Sequence, residues 1–293
     1  NEKIVAAPDG SLYVAFADYT QQNKLSVMRY DNDSMKWSNF GVKTISTADA
    51  SDVSMVAAPN GSVYIAFTDA GKNNKATVMT YDNTSNSWKT VGGDAVSTGK
   101  AAFTNIIVDA NSTPYLAYSD VDNGGKTKVV TYDKNSNTWK AVGTFATTAK
   151  SEFNNMSFAP DGTLYLVCSM YDFNMGRALV KSYDKSTQQW KMVGDIALSN
   201  GIAQYTSIAI SPTGAPYITF ADQGNDGRAK VMAYDKTTNH WRVVGNAGIS
   251  VGSSQYNNIS IAPDGKVDIV FKDAGSDNKA TAIYFDATTQ QWK

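Results

Sequence analysis

The side chains abundant enough to build a site in this sequence are carboxylates, amides and aromatic rings. Cysteine and histidine occur once each, as Cys168 and His240. Neither a Ser-His-Asp nor a Cys-His mechanism can be assembled when its partner stands alone in the wrong repeat position. Arginine is confined to Arg29, Arg177, Arg228 and Arg242, and glutamate to Glu2 and Glu152. The carboxylates are therefore nearly all Asp, and one set recurs: Asp18, Asp69, Asp120, Asp222 and Asp273 each close an apolar, aromatic-rich segment. A second recurring phrase joins an aromatic to small amides or hydroxyls: Phe103-Thr104-Asn105, Phe153-Asn154-Asn155, Tyr205-Thr206-Ser207 and Tyr256-Asn257-Asn258. A ring offers an apolar face to sugar C–H groups, while amide and carboxylate fix hydroxyl positions. Phe103, Asn105, Asp120, Phe153, Asn155, Tyr205, Asp222, Tyr256, Asn258 and Asp273 are the ligand-binding candidates. Their plainer role is structural, with rings wedged between repeats and Asp side chains capping hairpins.

Catalysis would have to come from Asp alone, as a carboxylate pair at glycosidase spacing. No repeat carries a distinctive acid or base, so a non-catalytic binding module is expected. Oxygen-rich loops such as Asp120-Val121-Asp122-Asn123 offer a calcium site, with Asp120 and Asp122 as ligands, but lack the twelve-residue calcium-loop spacing. Transition metals find no ligand set, and no cofactor is expected. The fourth repeat alone has a loop rich in apolar side chains, Tyr171, Phe173 and Met175. Such a cluster reads as a protein contact patch. The alternative function is accordingly a protein-interaction scaffold or a module of a larger surface protein.

These residues are positioned by one unit written six times. Trp37, Trp88, Trp139, Trp190, Trp241 and Trp292 are each 51 residues apart, and no other tryptophan exists. Each ends a phrase of the type YDNTSNSW or YDKSTQQW, and upstream lies a second phrase of the type SVYIAFTD or TPYLAYSD. Every unit holds four β-branched, aromatic-rich segments separated by Pro-Asp-Gly or Asp/Asn-rich turns, with no helical period between them. Four-stranded units at a period near 50 are the blades of a β-propeller. The fold class expected is all-β, one six-bladed β-propeller domain spanning residues 1–293. The loops after the second strand and between blades should share one face, placing the aromatic phrases around the mouth of the central channel. Closure is expected by face packing between blades one and six, unless the chain is one module of a longer protein.

The aromatic second strand, the third strand ending in Tyr-Asp, the short polar turn and the Trp together resemble the kelch repeat over the whole chain. Kelch units carry a Gly-Gly pair after the second strand, where this sequence reads Ala17-Asp18, Thr68-Asp69 or Ser119-Asp120. The resemblance implies propeller architecture. Kelch-type propellers serve as enzymes, adaptors and sugar-binding or surface proteins, so it implies no single function.

Comparing the six copies separates scaffold from site. The Trp column and Tyr30, Tyr81, Tyr132, Tyr183 and Tyr234 are scaffold, with packed rings and polar tips. Asp31, Asp82, Asp133, Asp184, Asp235 and Asp286 are turn caps. Cys168 shares a column with Phe16, Phe67, Tyr118, Phe220 and Phe271 and is a core residue. With 26 Lys and Arg against 27 Asp and Glu, the net charge of −1 gives no footprint for nucleic acid or an anionic membrane. No apolar run approaches the length of a membrane helix. Abundant Asn, Thr and Ser, scarce Cys and modular repeats suggest a secreted or cell-surface, bacterial protein. A monomer or a module of a larger chain is expected, with a glycan or protein as its ligand.

Overall fold

A computed structural model describes residues 2–172 and 175–293. It contains six four-stranded antiparallel sheets, each with its strands side by side in chain order. The fold class is all-β, a six-bladed β-propeller. The only helical elements among the described residues are three-residue 3-10 turns, as at Gln223–Asn225 and Ala274–Ser276. Two compact units share the blades, with blades one to three in residues 1–145 and blades four to six in 146–293.

Blade five shows how the sequence makes a blade. Its strands are Ala203–Ile210, Pro216–Asp222, Arg228–Asp235 and His240–Val243. Pro216 opens the second strand, a position whose N–H a ladder can spare. Between the third and fourth strands the Asp235 carboxylate accepts the Thr237 N–H at 2.8 Å, an Asx turn. The same bond is made by Asp31, Asp82, Asp133, Asp184 and Asp286. In blade six the fourth strand is only Gln291–Trp292.

The core lies between blades. At each described junction, large side chains on one face of a blade pack onto aliphatic ones, mostly Ala and Val, on the preceding blade. Ile208, Ile218, Phe220 and Trp241 of blade five meet Val167, Ala178 and Val180 of blade four. Ile259, Ile269 and Phe271 of blade six meet Ala229, Val231 and Ala233 of blade five. Blades one to three repeat the scheme, with Met55, Ile65 and Phe67 on Ala15, Leu25 and Val27, and Ile106, Leu116 and Tyr118 on Ala66, Ala76 and Val78. Cys168 is fully buried beside Met170 and Leu179, as a core residue should be.

The tryptophans add a directional bond. The indole N–H groups of Trp88, Trp139 and Trp241 donate at 2.8 Å, and that of Trp292 at 3.0 Å, to carbonyls 48 residues earlier in the preceding blade. Trp37, 39% exposed, makes no such bond among the described residues. Trp241→Phe should therefore lower stability by roughly 1–3 kcal/mol, from a lost bond and a poorly filled site. Trp37→Phe should cost under about 0.5 kcal/mol. Urea unfolding of the two variants beside the parent measures the contrast, and equal losses would remove the indole bond from the junction.

Candidate functional site

In blades two to six the innermost strand carries a β-bulge opposite the second strand, where the register slips by one residue. The bulged residue is Asp52, Phe103, Phe153, Tyr205 or Tyr256, and each has φ between 49° and 55°. This left-handed backbone suits glycine; an aromatic residue there carries strain of about 1–3 kcal/mol unless its surroundings hold it. Bulges re-aim side chains at sheet rims and beside functional sites. The four aromatics singled out in the sequence are thus one structural class, with Asp52 as the fifth member.

Neighbouring blades hold the bulges in place. In residues 1–145 the Phe103 N–H donates to the Asp52 carboxylate at 2.8 Å, and Thr104 donates its hydroxyl to the Asp52 carbonyl. In residues 146–293 Thr206 donates in the same way to the Phe153 carbonyl. There the rings form a ladder: Phe153 to Tyr205 and Tyr205 to Tyr256 both have centroids 5.1 Å apart with planes 50° apart. Phe153 and Tyr205 are half-buried, whereas Tyr256 is 57% exposed. Burial, with Tyr256 beside it, pushes the Tyr205 hydroxyl pKa up. Blade six has Asn257 where blade five has Thr206; this amide is buried, and neither Oδ1 nor Nδ2 has a partner among the described residues.

The amide column works mainly between blades. The Asn155 Oδ1 accepts the Ile208 N–H of the next blade at 3.0 Å, as the Ser54 hydroxyl accepts the Ile106 N–H at 3.0 Å. Asn105 is buried, and only Asn258 is exposed.

The carboxylates proposed beside the rings are occupied elsewhere, a correction to the sequence reading. Asp222 and Asp273 are fully buried. Asp222 accepts N–H groups from Asn200, Gly201 and Gly224 at 3.0–3.1 Å and pairs with Lys230 at 3.5 Å. Asp273 accepts from Val251, Gly252 and Gly275 at 2.9–3.1 Å. Each ties the loop between blades to the 3-10 turn after its own strand. The contact is so close that a Cβ on Gly201 would lie 2.4 Å from the Gly224 nitrogen. Both loops do share a face, but the Asp side chains are consumed in joining them. Asp120 is the exception. Its Oδ2 accepts the Asn123 amide at 2.8 Å, while its buried Oδ1 has no partner among the described residues. Asp122 takes the Lys100 N–H at 3.0 Å in its place. No group of three His, Cys, Asp or Glu among the described residues converges to hold a metal ion.

A further column escaped the sequence reading because its loop looked variable. Ser46, Ser97, Ser199 and Ser250 each accept a backbone N–H of the preceding blade's third strand at 2.8–3.1 Å. The signal was present, since a Ser or Thr stands two residues before Ala or Gly in every such loop: STA, STG, TTA, SNG and SVG.

The blade-four loop is only partly free. Tyr171 donates its hydroxyl to Glu152 at 2.8 Å, and Lys150 lies 5.0 Å from its ring centroid. Burial and the Glu152 carboxylate push the Tyr171 pKa up to about 12. Met175 is 71% exposed, and Phe173 lies outside the described residues. His240, exposed at the start of the fourth strand of blade five, places Nδ1 3.0 Å from Asp195.

No protein-family model matches the chain, and no curated protein matches it. Among solved structures it resembles a protein of unknown function from Dyadobacter fermentans DSM 18053. The TM-score is 0.63 at 10% identity, over 96% of this chain and 92% of that one. The likeness is one of fold.

Two carboxylates should respond to pH in opposite senses. Burial raises the Asp52 pKa against the pull of the Phe103 N–H and the Thr68 hydroxyl. Its charged form then costs stability above the folded pKa, so Asp52→Asn should match or exceed the parent at neutral pH, with the gap closing in acid. Burial also opposes charge on Asp273, but its backbone donors outweigh it and hold the pKa down. That stability is present above the unfolded carboxyl pKa and is lost as pH falls through the folded one. Asp273→Asn should lose roughly 1–3 kcal/mol at neutral pH, and progressively less in acid. Urea midpoints followed across the carboxyl range check both signs.

Proposed function

We propose that this chain is a non-catalytic binding module whose ligand, a carbohydrate or a similar small polar molecule, lies against the bulge aromatics. One observation carries the reading. At a backbone conformation that asks for glycine, the sequence places Phe103, Phe153, Tyr205 and Tyr256, and the last three form a partly exposed ladder. Strain retained at several equivalent positions is what a ring kept for its surface would cost. Tilted rings present apolar faces to sugar C–H groups, while amides and backbone at the strand ends meet hydroxyls.

Asp222 and Asp273 leave this proposal as direct ligand contacts, because their oxygens serve the loops, whereas Asp120 keeps a buried Oδ1 with no partner among the described residues. Each ring site is shallow, with affinity of about millimolar, and neighbouring rings raise avidity toward a repeating glycan. A secreted or cell-surface location and a kelch-like ancestry of the repeat belong to the same proposal, on composition and on the Tyr-Asp to Trp phrase. A protein scaffold is the second reading, favoured by the exposure of Met175.

Tyr256→Gly separates ring from backbone. Glycine accepts the left-handed conformation, so stability should stay within about 1 kcal/mol of the parent. Affinity for a glycan found on an array should fall roughly tenfold. An array on which the parent protein captures nothing, or a variant that binds as well as the parent, would overturn the reading.

A further inference from the structure

Blades five and six, both within residues 146–293, share a cavity of about 460 Å³ at the strand ends opposite the bulges. The Tyr256 bulge lies near the start of the inner strand Ser254–Ile261, and the cavity begins in the turn after that strand, at Asp264 and Lys266. Four of its lining residues depart from the repeat. Lys266 stands where the other blades have Ser11, Ser62, Thr113, Thr163 and Ala215. Tyr284 stands where they have Arg29, Thr80, Thr131, Ser182 and Ala233. The Lys266 ammonium lies 3.9 Å from the Tyr284 ring centroid and 3.7 Å from the Asp268 carboxylate. Phe285 replaces the tyrosine of the other five blades. Tyr132 and Tyr234 close onto their own turns, donating their hydroxyls to the Asn137 and Asn239 side chains at 2.7 and 2.6 Å. Phe285 cannot, and Gln290 at that amide position donates to the Ala287 carbonyl at 2.7 Å. Arg242 is the fourth departure. In blades two, three, four and six its position is Lys89, Lys140, Lys191 and Lys293, each paired with the Asp seven residues earlier. Arg242 is exposed and has no carboxylate partner among the described residues, although Asp235 stands at the corresponding place.

A repeat that gives up its own pattern at four positions around one cavity does so for something the scaffold does not need. We propose that this cavity binds a hydroxylated monocarboxylate of the hexuronic acid class. Arg242 supplies the carboxylate receptor, since its planar fork of N–H donors matches two carboxylate oxygens. Of the two cations lining the cavity, Lys266 already lies against Asp268, which leaves Arg242 as the one without a carboxylate partner. The Asp264 and Asp286 carboxylates line the same space. They oppose a dianion such as phosphate more strongly than a single carboxylate. Asp286 is itself paired with Lys293, whereas Asp264 spends only Oδ1, on the Lys266 N–H at 2.9 Å. Its Oδ2, with no partner among the described residues, is an acceptor for a ligand hydroxyl. Tyr217, Tyr284 and Phe285 add an apolar wall for ring C–H groups, and the volume lies within the range of small-ligand sites. A hexuronate carries the carboxylate, the hydroxyls and the C–H faces on one ring. This site stands apart from the bulge aromatics and does not rest on the reading given for them.

The test is an NMR titration of the 293-residue protein with sodium glucuronate at low salt, beside glucose and inorganic phosphate. Glucuronate should bind with a millimolar Kd that weakens as salt rises, and should shift the Tyr284 and Phe285 rings. Glucose, which lacks the carboxylate, should bind roughly tenfold more weakly or worse. Arg242→Lys keeps the charge but restores the residue that pairs with the turn Asp in four other blades. It should lose roughly tenfold in affinity while its urea midpoint stays at that of the parent. Tyr256→Gly, at the other end of the strands, should bind glucuronate as the parent does. No saturable glucuronate binding, equal affinity for glucose or phosphate, or undiminished affinity in Arg242→Lys would overturn the proposal. So would a loss of glucuronate binding in Tyr256→Gly, which would place the sugar acid on the bulge rings instead.

Discussion

An indole N–H donated to a backbone carbonyl 48 residues earlier ties each described blade pair together, and the blade pair is where this protein keeps its core. A single four-stranded sheet buries nothing alone. Its large side chains need the small ones of the blade before it, and the Trp fixes the register in which they meet. The same logic extends along the junction. Ser or Asn side chains at the inner strand accept the next blade's N–H groups, and the Ser column of the connecting loops accepts those of the third strand. Several polar groups at each described junction are thus satisfied by the neighbouring blade, so fold and polar complementarity meet in one repeated interface.

The bulge is the second consequence of that interface. The slipped register frees a backbone N–H and a carbonyl, and adjacent blades take them up, as the Asp52 carboxylate does for the Phe103 N–H and the Thr104 hydroxyl for the Asp52 carbonyl. This anchoring lets a Phe or Tyr persist where glycine would relax. It also separates two roles that the sequence had placed together. Asp222 and Asp273 at the ends of their second strands are scaffold, sealed under the loops, while Tyr205 and Tyr256 remain partly in contact with solvent.

Much of this was legible in the sequence. The even tryptophan spacing, the Tyr-Asp turn phrase and the Pro-Asp-Gly turns are local signals, and they led to six four-stranded blades. The Asp turn caps were legible for the same reason, since acceptor and donor are two residues apart. Asp222 was misread because the Asn200 and Gly201 N–H groups it accepts lie 21–22 residues away, in a loop whose sequence varies. The bulge left no mark either, because the residue type that would announce a positive φ is absent from it.

The central claim is that Phe153, Tyr205 and Tyr256 are held in strained bulges for the surface they present. Ring-resolved NMR during titration with an array-selected oligosaccharide tests it most directly. Shifts that saturate together on these three rings, with the Trp241 indole unmoved, are the expected result. Saturable glycan binding that leaves all three rings unshifted would contradict the claim.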